Sequence, residues 1–170
     1  IFSVGTVQCG TARNIVPDEL TFGGSVRTFN VEGAGVPFME HFMEVVKKEC
    51  ELCQCTYEVL YMKDPLFECY NNPTCSQIAK EAVRKYIGDE AVTVTAPWMA
   101  SESMQAYLKL WPGIITFTGI QSEEVGSGAN HHTPEFDVDE KGMIYGVSAA
   151  LGYVKDFLNY EGEIPFTPFE

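Results

Sequence analysis

Apolar and polar residues alternate in the first part of the chain, a pattern typical of β-strands that pack on one face. The alternation predicts strands at Val4–Val7, Leu20–Phe29 and Thr56–Met62. Before the last of these, Val36–Cys53 carries apolar residues with the spacing of one helical face. This spacing predicts an amphipathic helix with Pro37 in its first turn. Strands combined with one helix predict a small α+β layer for this part of the chain.

From about residue 71, helical periodicity alternates with short apolar runs. Asn72 and Pro73 predict the cap and first position of a helix that stops at Gly88. A second helix is predicted over Ser101–Leu110, with Ser101 as its cap. The last helix is predicted to begin near Asp139, with a buried stripe formed by Ile144, Val147, Leu151, Val154 and Leu158.

The apolar runs Ala91–Thr95 and Ile114–Ile120 predict strands between these helices. The second run is apolar on both faces, which is typical of a strand buried between helical layers. Helices that alternate with such strands predict a parallel or mixed α/β sheet. Because each of these strands needs a neighbour, we do not expect the chain to form a compact monomer on its own.

Composition and charge exclude several classes of function. The 170 residues are 45% hydrophobic and 12% aromatic, which is enough for a folded core. Asp and Glu number 24 against 11 Lys and Arg, giving a net charge of −13 that excludes a phosphate-backbone partner. Nucleic acid is therefore not an expected partner. No apolar run approaches the roughly 20 residues of a spanning helix, so a membrane is not an expected partner either. The sequence begins at Ile1 rather than Met, so we expect a piece of a longer protein.

Three of the six cysteines, Cys50, Cys53 and Cys55, lie close together in the sequence. A structural zinc site usually contains two separated ligand pairs, and only this single group is present. Cys50 and Cys53 have the spacing of small apolar residues that face a helical core. We therefore expect reduced thiols and a cytoplasmic location, with a metal or disulfide role as the alternative.

A pair of histidines, His131 and His132, follows the Gly-rich loop after the predicted strand Ile114–Ile120. Open α/β sheets place ligand sites in loops beyond strand ends, and imidazole is a common metal ligand. Pro134 stiffens the loop that presents the pair. Metal binding and a pair of solvated loop histidines both fit this pattern. The remaining histidine, His41, is expected on the polar, exposed face of its helix.

Arg27 lies in the predicted strand Leu20–Phe29, among small residues on the face that is not packed. A guanidinium in this setting leaves room for a bidentate pair with a carboxylate. An exposed strand arginine without a ligand is the alternative interpretation. Asn14, just before Ile15, fits ordinary turn chemistry.

Four segments resemble motifs of one enzyme family. Gly10–Asp18 and Gly24–Phe29 resemble the satellite-domain signature of the aminoacylase/carboxypeptidase family of dinuclear-metal amidohydrolases. This family includes N-acyl-amino-acid, hippurate and indole-acetyl-amino-acid hydrolases. His132–Asp137 resembles its His-x-Pro-x-Phe segment. Ala100–Met104 resembles its Ser-Glu-Asp-Phe stretch but departs from it at the last two positions, so no role is assigned there.

The resemblance implies an α/β fold with two portions. These are the C-terminal part of a metallopeptidase α/β sheet domain and part of an α+β satellite (dimerisation) domain. Residues 1–70 would form the second part of the satellite domain. Residues 71–170 would form the C-terminal part of the catalytic domain.

By the same resemblance, His132 is a metal ligand, and Asn14 and Arg27 bind the carboxylate of the substrate. The general base is expected upstream of this chain, so no catalytic residue is assigned within it. The intact enzyme would hold two divalent metal ions (Zn, Mn or Co) that share and activate a water. One histidine cannot hold two ions, so we expect this chain alone to lose the metals and to be inactive.

The resemblance therefore implies the C-terminal portion of a metal-dependent amidohydrolase or peptidase that cleaves the amide bond of N-acyl amino acids or small peptides. It also implies a homodimer through the satellite domain, and a companion chain with the N-terminal half is a further expected partner. The alternative is a non-catalytic dimerisation or interaction domain derived from that fold. A third hypothesis is an unrelated carboxylate-binding protein built around Arg27.

Overall fold

The computed structural model describes residues 1–63 and 67–168, and its main elements are two strands and four α-helices. A π-helical turn, Val31–Gly35, leads into the first helix, and a 3-10 turn, Asp89–Ala91, follows the second. The mixed α/β content is therefore confirmed. No helix within the described ranges has the length and apolar character needed to cross a bilayer. In chain order the elements are β1 (Phe2–Cys9), β2 (Leu20–Val26), α1 (Val36–Leu52), α2 (Pro73–Tyr86), α3 (Gln105–Leu108) and α4 (Lys141–Leu158).

The chain packs into two units. Unit 1 contains Ile1–Glu68 and Pro97–Glu102, and unit 2 contains Cys69–Ala96 and Ser103–Glu170. The predicted satellite portion, 1–70, and the predicted catalytic portion, 71–170, stay predictions as domain assignments. Residues 64–66 and 169–170 of those portions lie outside the described residues.

β1 and β2 pair as an antiparallel ribbon, which confirms the two strands that alternation predicts in this region. The register places Phe2 opposite Val26, and β2 ends there rather than at Phe29. A Cβ atom on Gly24 would overlap the carbonyl oxygen of Ser3, so this register requires glycine at that position.

Aromatic rings join α1 to the ribbon in unit 1. Asn30 caps the π-helical turn before α1 by accepting a hydrogen bond from the Gly33 N–H at 2.7 Å. The ring centroid of Phe42 in α1 lies 5.3 Å from that of Phe2 and 6.4 Å from that of Phe22. Such spacings are favourable for tilted and edge-on aromatic pairs. The predicted amphipathic helix is thus confirmed, and its aromatic residues pack on the strands.

α2 supplies most of the buried apolar side chains of unit 2 and closely follows its predicted limits. The Asn72 side chain accepts a hydrogen bond from the Cys75 N–H at 3.1 Å and donates to the Pro165 carbonyl at 2.8 Å. Gly88 ends the helix region with φ at 140°, a conformation that glycine adopts without strain. The buried face of the helix consists of Cys75, Ile78, Ala79 and Ala82.

α4 packs through small residues rather than through the large apolar stripe that its sequence predicts. Gly142 and Gly152 are its buried residues. The Tyr86 ring lies against Gly152, and the Gly119 carbonyl lies against Gly142, so a side chain at either glycine would collide. The prediction of a buried stripe is therefore wrong, and the following residues are at least half exposed: Ile144, Val147, Leu151, Val154 and Leu158.

An exposed polar cluster connects α4 to α2. The Asp156 carboxylate accepts hydrogen bonds from Lys85 Nζ and from the Tyr86 hydroxyl, each at 2.9 Å. The hydrogen bond from Lys85 holds the pKa of Asp156 below its ordinary value. This pair therefore stabilises the fold at neutral pH, and that contribution is lost as the pH falls through the lowered pKa.

Three predicted strands do not form within the described residues. Thr56–Met62, Ala91–Thr95 and Ile114–Ile120 make no ladder with a neighbouring strand, and the sheet among these residues is the β1–β2 ribbon. A strand depends on a partner for its hydrogen bonds, whatever its own sequence pattern. The backbone of Ile115 instead exchanges two hydrogen bonds of 2.8 Å with the Asn71 side chain. The parallel or mixed sheet predicted for residues 71–170 is therefore not formed by the part of that range that the structure describes, 71–168.

Replacing Asn72 tests the cap that begins α2. We expect Asn72→Ala to lower the free energy of unfolding by about 2 kcal/mol, because it removes the cap and leaves a partner carbonyl unpaired. The control Asn159→Ala removes an exposed amide near the end of α4 and should cost less than about 0.5 kcal/mol. Urea unfolding of the whole protein that contains this chain, followed by circular dichroism, measures both variants. Equal effects of the two substitutions would contradict the role given to Asn72.

Candidate carboxylate-binding and metal-ligand residues

Arg27 directly follows β2, and its backbone continues the pairing of the ribbon. The Arg27 N–H donates to the Ile1 carbonyl at 2.8 Å, and the backbone nitrogen of Ile1 donates to the Arg27 carbonyl at 2.7 Å. β2 ends at Val26, one residue before Arg27, so the prediction that Arg27 lies in mid-strand is wrong. The pairing nevertheless fixes the backbone of Arg27 to the ribbon.

The guanidinium of Arg27 is held through one of its nitrogens. Nη1 donates to the Met99 carbonyl at 3.1 Å and to the Ser101 hydroxyl at 3.4 Å. Within residues 1–63 and 67–168, no ion pair includes Arg27, although the chain carries 24 acidic residues. Its Nε and Nη2 atoms donate no hydrogen bond to the described residues. A half-buried guanidinium with this edge open can accept a carboxylate in bidentate geometry.

Met99 and Ser101 are the site residues that sequence reasoning missed. Ser101 was predicted to cap a helix over Ser101–Leu110, but that helix is reduced to the single turn α3. The segment Pro97–Glu102 packs in unit 1, where both residues reach Arg27. They are 72 and 74 positions from it in the sequence, so no local pattern indicates the contact.

Asn14 lies exposed in the loop between β1 and β2. Gly10, with φ at 65°, turns the chain after β1, and a hydrogen bond of 3.2 Å from the Ile15 N–H to the Ala12 carbonyl closes the turn. An open depression of about 440 Å3 is lined by this loop between Cys9 and Pro17. No hydrogen bond in the described part of the chain joins Asn14 to Arg27. Their joint role at one carboxylate stays a prediction.

His132 has an unusual backbone conformation for its residue type. Its φ is 63°, in the left-handed region that few residues other than glycine occupy and in which histidine is enriched. The turn is closed by a hydrogen bond of 2.8 Å from the Thr133 hydroxyl to the Asn130 carbonyl. The neighbouring His131 ring lies 5.6 Å from the Phe136 ring. The structure thus gives the two histidines different settings, and both side chains are exposed.

The described residues do not form a metal centre by themselves. They contain no group of three or more His, Cys, Asp or Glu side chains that could hold an ion. A zinc ion takes three or four ligands, so His132 alone does not fit the two-metal site that the resemblance implies. Its role as a ligand stays a prediction.

The other predicted histidine and cysteine environments are mostly as expected. His41 is exposed and lies 3.8 Å from Glu44, as predicted for the polar face of α1. Within the described residues no disulfide joins two cysteines, and Cys50 is half-buried. Cys53 is exposed, so its predicted packing in a helical core is wrong. The reason is that α1 ends at Leu52, one residue before it.

Comparison with known proteins finds several hydrolases. The chain is 29% identical over 163 residues to IAA-amino acid hydrolase ILR1-like 2 of Arabidopsis thaliana, covering 92% of this chain and 36% of that protein. It is 28% identical over 149 residues to thermostable carboxypeptidase 1 of Saccharolobus solfataricus, covering 88% and 37%. It is 25% identical over 152 residues to the putative amidohydrolase YhaA of Bacillus subtilis, covering 89% and 38%.

The chain thus spans just over a third of the length of these relatives. No family model matches it, and no solved structure matches it. The similarity nevertheless extends over most of the chain.

The backbone of His132 can be tested by comparing two small residues at its position. We expect His132→Gly to be more stable than His132→Ala by about 1 kcal/mol, because alanine is strained at positive φ. His131 is the matched control, since its φ is not positive. There the glycine variant should be the less stable one, because glycine gains more freedom in the unfolded chain. Urea unfolding measures all four variants, and the same order at both positions would contradict the assigned conformation.

Proposed function

We propose that this chain, whose relatives are consistent with the aminoacylase/carboxypeptidase family, is part of a metal-dependent amidohydrolase that cleaves N-acyl amino acids or small peptides. These relatives are hydrolases, carboxypeptidases and an amidohydrolase by name, and they confirm the resemblance carried by the motifs. Because the chain spans just over a third of their length, the activity of the whole protein is inferred from theirs. This chain is proposed to be inactive without the remainder.

The setting of Arg27 is the observation that carries the proposal. The substrates indicated by the relatives' names, an amino-acid conjugate and a peptide cut at its carboxyl end, share a free carboxylate close to the scissile amide. A half-buried cation with no acidic partner among residues 1–63 and 67–168 suits such a group, because an ion pair gains strength where water is partly excluded. The net charge of −13 makes this local positive site stand out from its surroundings.

Asn14 and His132 receive narrower roles. The amide of Asn14 can donate to a carboxylate oxygen, which would complement Arg27. A neutral imidazole at His132 can serve as one ligand of a divalent ion such as Zn, Mn or Co. His132 would hold such an ion only together with ligands from outside this chain, and the ions would supply polarisation of the amide carbonyl and a lowered pKa of a bound water. The general base and the other ligands are proposed to come from outside this chain.

Residues 1–70 are proposed as the second part of a satellite domain that mediates a homodimer, and residues 71–170 as the C-terminal part of the catalytic domain. The β1–β2 ribbon supports this assignment, because a two-stranded ribbon leaves outer strand edges able to pair with another chain. A companion chain with the N-terminal half is the other proposed partner. A cytoplasmic location is proposed because the cysteine pattern of the sequence predicts reduced thiols, which suit a reducing compartment.

The proposal is tested by the hydrolysis of N-acyl amino acids, hippurate and indole-acetyl amino acids by the whole protein that contains this chain. We expect Arg27→Ala to raise KM for such an acid at least about 10-fold, because a charged hydrogen-bond partner is lost. KM for the corresponding neutral primary amide should change little. A metal chelator should abolish hydrolysis of both substrates.

Arg84→Ala is the matched control, because it removes an exposed arginine that pairs with Asp89 and leaves Arg27 intact. It should leave both KM values near those of the wild type. Hydrolysis that resists chelation would contradict the metal-dependent class. An equal effect of Arg27→Ala on the acid and the amide would contradict the role of Arg27 in carboxylate binding.

A further inference from the structure

The hydrogen bonds of Arg27 use a single nitrogen of its guanidinium. A guanidinium carries five N–H groups, two on each Nη atom and one on Nε. The two bonds to Met99 and Ser101 both start from Nη1. Nε and Nη2 have no acceptor among the described residues, and the Nε hydrogen and one hydrogen of Nη2 point in parallel from one edge of the group. This is the edge that forms two parallel bonds with a carboxylate.

We propose that Ser101 is a positioning residue that, with the Met99 carbonyl, holds the Arg27 guanidinium so that its Nε–Nη2 edge faces the substrate carboxylate. This inference rests on the proposed function and adds a residue to it. Ser101 touches Arg27 and is not assigned any contact with the substrate.

Two features of the structure support this role. The backbone of Arg27 is already fixed by its pairing with Ile1, so the side chain is what remains to be ordered. A long arginine side chain has many rotamers, and the loss of that freedom on binding lowers affinity. Two contacts to Nη1 order the side chain before the substrate arrives. Ordering the Arg27 side chain is therefore expected to strengthen substrate binding, which lowers KM, and to change kcat less.

The contact from Ser101 is suited to mutation. Its side chain is exposed, so its removal takes away a hydroxyl without creating a cavity in the core. The hydrogen bond from Arg27 Nη1 to the Ser101 hydroxyl is long, at 3.4 Å. The hydrogen bond from Nη1 to Met99, at 3.1 Å, is accepted by a backbone carbonyl and does not depend on the side chain at position 101. The expected effect of losing Ser101 is therefore smaller than the effect of losing Arg27.

The test measures hydrolysis by the whole protein of an N-acetyl amino acid and of its neutral primary amide. Ser101→Ala should raise KM for the acid about 2- to 10-fold, as expected for one hydrogen bond, with kcat within about twofold. KM for the amide should not change, because that substrate has no carboxylate for Arg27. Ser101→Thr keeps a hydroxyl and should restore the KM of the wild type, whereas the similarly shaped Ser101→Val should not.

Ser3→Ala is the matched control, because Ser3 is another exposed serine of unit 1 and bonds with Ser25 rather than Arg27. It should leave both KM values unchanged. If Ser101→Ala fails to fold, the comparison of Ser101→Thr with Ser101→Val gives the same answer. An unchanged KM for the acid in Ser101→Val, or an equal rise for acid and amide, overturns the positioning role.

Failure of this inference is distinct from failure of the proposed function. If Arg27→Ala raises KM for the acid selectively and the Ser101 variants do not, only the role of Ser101 is overturned. If Arg27→Ala has no selective effect, or the wild-type protein hydrolyses neither substrate, both are overturned.

Discussion

The pairing of β1 with β2 is the constraint on which the candidate carboxylate site depends. It continues past the end of β2 through the two backbone hydrogen bonds between Ile1 and Arg27. The same ribbon packs on α1 through Phe2 and Phe22, so the strand register and the aromatic cluster support each other. The backbone of Arg27 is therefore held by the ribbon. Its guanidinium donates two further hydrogen bonds, to Met99 and Ser101, which order the side chain. A cation ordered in this way binds an anion at a smaller cost in conformational entropy.

Local signals in the sequence were enough to predict α1, α2 and α4, but not the short extent of α3 or the way the helices pack. Asn72 and Gly88 act through neighbours within a few residues, so α2 could be placed closely from the sequence alone. The packed face of α4 could not, because periodicity identifies large apolar residues and the contact is made by Gly142 and Gly152. Predicted strands such as Ile114–Ile120 depend on partners that the pattern of one segment does not specify.

The candidate site shows the same division between local and distant information. The motif around Arg27 identified the residue, and the chemistry of a guanidinium predicted a carboxylate. The contacts from Met99 and Ser101 come from a segment more than 70 positions away and have no sequence signal of their own. The positive φ of His132 also follows from the folded loop and not from the residue type. The described residues bring no further ligand set to His132, so its role is supported by the motif alone.

The Nε–Nη2 edge of Arg27 is proposed to bind the carboxylate next to the scissile amide. A crystal structure of the whole protein with a slowly hydrolysed N-acyl amino acid analogue tests this claim most directly. We expect both carboxylate oxygens within about 3.2 Å of Nε and Nη2, with Nη1 still donating hydrogen bonds to Met99 and Ser101. A carboxylate bound by other residues, with Arg27 facing solvent, would contradict it.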